Sequence, residues 1–101
     1  MSMLATGERV EVLSASGPGA DVTVTAGGAN NVDLTISLGK VQRILDHLAV
    51  VSVSGLPDGA VLAGFSFPDV TTLRLRVFNP TEADVTVSAG SVSAEVLVKA
   101  L

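Results

Sequence analysis

His47 is the only histidine in the chain. A nucleophilic triad would need this imidazole beside a serine and an orienting carboxylate. Serines are plentiful, but none lies in a Gly-x-Ser-x-Gly elbow, the strained turn that lifts a hydroxyl out of a sheet. His47 therefore reads as a partly exposed histidine near the end of the KVQRILDH segment. Paired carboxylates could do acid–base work, and Asp58, Asp69, Glu82 and Asp84 all fall in or beside expected turns. Turn chemistry by itself accounts for Asp58 before Gly59 and Asp69 after Pro68. No Asp-rich loop has the spacing of a calcium loop. The glycine-rich stretches SGPGA (16–20) and AGGAN (26–30) lack both the Gly-Lys-Ser/Thr ending and a following helix of a phosphate cradle. No catalytic, cofactor-binding or metal-ligating residue is therefore expected, no cofactor is implied, and the chain is not read as an enzyme.

Composition narrows the partners. The 101 residues carry six basic and ten acidic side chains, a net charge of −4. Binding to a phosphate backbone calls for clustered Lys and Arg instead. Phe65, Phe67 and Phe78 are the only aromatic residues, too few for platforms that stack sugars or bases. There is no cysteine, which excludes disulfides and thiolate metal sites. MSMLATGERVEV has neither the basic nor the apolar segment of a signal peptide. No apolar run approaches the roughly 18 residues of a membrane span. Nucleic acid, membrane and small-molecule substrates are accordingly not expected partners.

The elements that would position any site are strands. Leu73, Leu75 and Val77 alternate with Arg74, Arg76 and Phe78. Val85 and Val87 alternate with Asp84, Thr86 and Ser88. Val92, Ala94, Val96 and Val98 alternate with Ser93, Glu95, Leu97 and Lys99. Period two marks a strand with one face on a core. Asn79-Pro80-Thr81 and Ala89-Gly90-Ser91 separate these runs, which predicts a three-stranded meander over 70–98. Upstream, the expected strands are Arg9–Leu13, Asp21–Ala26 and Val32–Leu38, with Ser14–Ala20 as loop. Leu48–Ser54 and Ala60–Phe67 follow the same logic around the turn Gly55–Gly59. Val41, Ile44, Leu45 and Leu48 have helical spacing, so one short helix near 40–47 and an irregular crossover are both open. Seven to eight short strands with turns every 8–12 residues predict an all-β, antiparallel β-sandwich, Ig-like or jelly-roll-like. Residues 1–7 are expected to be a flexible amino-terminal arm and 8–101 a single domain.

Two further features bear on function. ADVTVTAG (20–27) nearly repeats as ADVTVSAG (83–90), either as a generic strand-plus-turn solution or as the mark of a duplicated half-sandwich. Arg74 and Arg76 share an outer face with Phe78, and the meander would put Thr86 and Glu95 beside them, for ion pairing or for a protein contact. The chain is 48% hydrophobic, with a mean hydropathy of +0.57. A small sandwich exposes much of itself, so part of this apolar content is expected at subunit contacts.

The strand Leu73-Arg74-Leu75-Arg76-Val77, the turn Asn79-Pro80-Thr81 and the ending ADVTVSAGSVSAEVLV (83–98) resemble short Ala/Val/Thr-rich β proteins among tailed-phage virion genes. The resemblance covers roughly 32–98. It implies a non-enzymatic head-decoration or other auxiliary subunit, located in the virion and assembled in the host cytoplasm. It also implies a homo-oligomer, with a trimer as first candidate, contacting a major capsid or other virion protein. An Ig-like binding or adhesion module is the alternative, recognising a glycan or protein through GLPDG (55–59) and FPDVTT (67–72).

Overall fold

A computed structural model describes residues 7–101, and the arm expected at 1–7 lies outside the described residues except for Gly7. Eight strands follow in order: β1 (Arg9–Gly17), β2 (Val22–Val24), β3 (Ala29–Ile36), β4 (Ile44–Ser54), β5 (Val61–Asp69), β6 (Thr72–Phe78), β7 (Val85–Val87) and β8 (Val92–Ala100). Six form one antiparallel sheet in the order β4-β8-β1-β3-β6-β5, while β2 and β7 make a separate ribbon. β1 and β3 share only two register pairs, Ala15–Ile36 and Ser16–Thr35. The sheet turns at this junction, and β4-β8-β1 and β3-β6-β5 become the two layers of a sandwich.

The alternating residues of both layers meet in one core. Leu13 and Ala15 from β1, Val32, Leu34 and Ile36 from β3, and Leu73, Leu75 and Val77 from β6 are buried together. Val92, Ala94, Val96, Val98 and Ala100 of β8 join them. Val24 and Val87 of the ribbon are completely buried and close one end. Each fully buried Val or Leu contributes about 1.5–3 kcal/mol of transfer free energy.

The strands of the second half form where alternation placed them, but they are not neighbours. β6 pairs with β3 and β5, β7 with β2, and β8 with β1 and β4. The predicted meander is therefore replaced by long-range pairings, since alternation specifies which face is buried and not which strand lies alongside. β1 also runs on through Ser14–Gly17, where loop was expected, because Ala15 fills an inward position opposite Ala94.

The short helix near 40–47 does not form, and the described residues contain no helix. Instead β4 starts at Ile44 and lies along β8 with three register shifts. Eleven residues of β4 face the eight from Ser93 to Ala100, leaving Leu45, Leu48 and Val51 as bulge residues. Ile44, His47, Val50 and Val53 then point inward, every third residue. A strand bulged once per three residues shows a period close enough to 3.6 to imitate a helix.

The ADVTV(T/S)AG echo has structural content. Its two copies pair with each other as β2 and β7, with Thr23 opposite Thr86. The Ala26 N–H donates to Asp84 Oδ1 at 2.9 Å, and the Ala89 N–H donates to Asp21 Oδ1 at 2.8 Å. The pairing β1·β8 corresponds to β6·β3 under the same exchange. The offset that superposes the two copies would set inward Leu13 on outward Arg76, so the correspondence does not extend in register into the flanking strands. The ribbon pairing is compatible with both alternatives.

Candidate interaction surface

The residues singled out for chemistry are dispersed, and His47, Asp69 and Asp84 are engaged locally. His47 stands on edge strand β4. Its Nε2 lies 2.8 Å from the Val70 carbonyl oxygen, which makes this nitrogen the protonated donor. Its ring stacks on Phe67 of the opposite edge strand, with centroids 4.0 Å apart and planes at 11°. His47 thus clasps β4 to β5 where the two outer strands converge. Asp69 Oδ1 accepts from the Thr71 N–H in the β5–β6 turn, as its position beside Pro68 suggests. Asp84 is committed to the ribbon. The Gly27 amide of AGGAN donates to the Asn79 carbonyl at 2.8 Å. Among the described residues no group of three His, Cys, Asp or Glu side chains could hold a metal ion. GLPDG leads into β5 and FPDVTT closes its far end, so these two loops sit at opposite ends of a nine-residue strand.

The outer face of β3-β6-β5 is polar. Arg74 makes two hydrogen bonds to the Asp33 carboxylate, at 2.8 and 3.0 Å. The Arg74 hydrogen bond holds the Asp33 carboxyl below its ordinary value, aided by the guanidinium charge and partly opposed by desolvation. Arg76 donates to Asn31 Oδ1 at 3.1 Å. The partners expected from the meander, Thr86 and Glu95, lie on other strand pairs, because β3 and not β7 is the neighbour of β6.

The outer face of β4-β8-β1 is different. In register across the three strands, Leu97 lies between Val12 and Ala49, and Lys99 between Val10 and Asp46. Below them come Ser14, Glu95 and Ser52, and then Ser16, Ser93 and Ser54. A bulge places two residues opposite one. Leu45, Leu48 and Val51 accordingly share the rows of Lys99, Leu97 and Glu95. Val10, Val12 and Leu48 are about half exposed, and Val51 is 57% exposed. Half of this face is therefore a sheet surface of Val and Leu over which, among the described residues, no layer lies. The other half is a shallow serine-lined groove around Glu95.

The two edges add to this surface. β4 and β5 end the sheet with unpaired backbone. From Leu48 to Ser54, and again from Val61 to Pro68, neither edge carries a charge. Natural edge strands are usually blunted by Lys or other charges. Leu62 and Phe65 face the core side of β5 yet stay exposed, Phe65 at 53%, because β5 is the last of the described strands on that side of the sheet. The bulge residues and the exposed side chains of β1 were not identifiable as a surface from sequence. The available signal was the three-residue period of β4, which helical spacing also explains.

Comparison with family models, curated proteins and solved structures returns no match to the chain.

Proposed function

We propose that this chain is a non-enzymatic structural subunit of a tailed-phage particle, a homo-oligomer that attaches to a major capsid or other virion protein. The observation that carries assembly is the uncovered outer face of β4-β8-β1, where Val10, Val12, Leu48 and Val51 meet solvent. Contiguous apolar surface of this kind marks contact sites. The virion setting comes from the resemblance of the carboxy-terminal half. Its residence in the particle and its assembly in the host cytoplasm belong to the same proposal. The charge-free β5 edge with Val61, Leu62 and Phe65 would supply the contact with the particle.

The test is co-sedimentation of the purified chain with assembled heads of a phage that encodes it. Specific, saturable binding that Phe65→Asp abolishes is expected. A folded chain that remains in the supernatant overturns the virion assignment. Retention on a defined polysaccharide instead would move the reading to the adhesion module.

A further inference from the structure

We infer that the outer face of β4-β8-β1 receives a second copy of the same face, related by a two-fold axis that runs across the strands above Leu97. The inference rests on the assembly reading and names its partner and geometry. On β8, Glu95, Leu97 and Lys99 all point outward, opposite Ser14, Val12 and Val10 of β1. The two charges have opposite sign and flank the central leucine symmetrically, each two residues away. A two-fold across the strands reverses strand direction while keeping each strand over its own copy. It therefore lays Lys99 over the second copy's Glu95, and Leu97 over Leu97.

The rest of the face fits the same operation. Val12 and Leu48 lie in the row of Leu97 and meet their own counterparts. Leu45, in the row of Lys99, meets Val51, in the row of Glu95. The alternative axis, parallel to the strands, would stack Lys99 on Lys99 and Glu95 on Glu95. Like charges opposed across an interface cost several kcal/mol, so only the crosswise axis is self-complementary. An isologous contact of this type closes after two copies. Sheets packed face to face lie about 10 Å apart with their inner side chains interleaved. Lys99 already reaches Glu8 at 3.2 Å, and the Ser52 hydroxyl lies 3.4 Å from Glu95. Both charged groups are thus held over the face instead of trailing into solvent. Charge complementarity along β8 points to a second copy, and Asp46, the acid beside Lys99 in its row, falls over Ser52 and Val51 of that copy instead of over a charge. The geometry favours a dimer over the trimer that the resemblance implies.

The experiment is sedimentation equilibrium of the full chain with single and double charge exchanges. Wild type is expected to be a dimer. Lys99→Glu and Glu95→Lys, each of which opposes like charges twice across the axis, should weaken it by roughly tenfold or more. The double variant Lys99→Glu/Glu95→Lys restores both pairs and should return to within about threefold of wild type. Far-UV circular dichroism verifies that each variant is folded. A readout free of charge changes uses Ser93→Cys as the sole thiol for a spin label. The crosswise axis separates the two labels by about 26 Å along the strands, whereas an axis parallel to the strands brings them to about 10 Å. A wild-type monomer, a trimer, a double variant as weak as the singles, or the short label distance would each overturn the two-fold. Particle binding by a monomer or trimer would leave the virion reading standing, which separates the two failures.

Discussion

Asn79 shows how much one side chain can decide. It is the only buried polar residue among those described, and its hydrogen-bonding capacity is filled. Nδ2 donates to the carbonyls of Val24 and Ala83, and Oδ1 accepts from the Thr81 N–H and hydroxyl. Its backbone exchanges hydrogen bonds with Gly27 and Gly28. Asn79 is therefore a buried junction tying β6 to the ribbon and to the start of β3. Asn79→Ala removes the side chain's bonds to the Val24 carbonyl and the Thr81 N–H, while the Ala83 carbonyl keeps the Thr81 hydroxyl, and should lower the unfolding free energy in urea by about 2–4 kcal/mol. Asp33 supplies a contrast. Its partner Arg74 is exposed, so the pair is screened by solvent and contributes little. Its lowered pKa sets the sign: the contribution is complete above the ordinary carboxylate range and is lost as pH falls through the folded-state value. Asp33→Asn should therefore be slightly less stable than wild type at neutral pH, and the two melting curves should converge as pH falls below the ordinary carboxylate range.

At the level of elements, β4 and β8 lie side by side and obey different rules. β8 is regular, with every second residue buried from Val92 to Ala100. β4 spends three residues on bulges. A one-residue deletion therefore has opposite consequences in the two strands. Removing Leu48 from β4 leaves His47 opposite Val98 and Ala49 opposite Leu97, so the inward set survives. Removing Leu97 from β8 turns every later residue to the wrong face. The Leu48 deletion should fold, with a urea midpoint near wild type and weaker self-association. The Leu97 deletion should not yield a cooperative transition. The ribbon makes a companion case. Asp21 and Asp84 cap opposite ends of the same two-stranded pairing. Asp21→Ala and Asp84→Ala should each cost about 1 kcal/mol in chemical denaturation, as similar hydrogen bonds do.

At the level of the whole molecule, the sandwich has two unlike outer surfaces. One is polar, with Arg74 paired to Asp33 and Arg76 hydrogen-bonded to Asn31. The other presents Val and Leu beside the β4 edge, which carries no charge from Leu48 to Ser54. A core residue and a surface residue of the same type should therefore behave differently. Leu75→Ala, at a completely buried position, should destabilise by about 2–5 kcal/mol. Leu48→Lys, at a half-exposed one, should change the unfolding free energy of the monomer little and reduce the mass seen by light scattering.

The residues themselves determined the faces of the strands. Val32, Leu34 and Ile36, then Leu73, Leu75 and Val77, then Val92 to Ala100 are buried as their alternation requires, because period two is a property of each extended chain. The turns at Gly55–Gly59 and Asn79–Thr81 were legible for the same local reason. Gly55 has φ +89°, and a side chain there would collide with the Ser91 carbonyl oxygen. Tertiary structure alone decided the neighbours. β8 lies beside β1 and β4, each separated from it by dozens of residues of chain, and no local pattern encodes that distance. It also decided that Val41, Ile44, Leu45 and Leu48 do not share one helical face, since the bulges that separate them exist only against β8. The candidate surface belongs to this second kind of information. Val12, Leu97 and Leu48 become one face because three strands from distant parts of the chain are hydrogen-bonded in register.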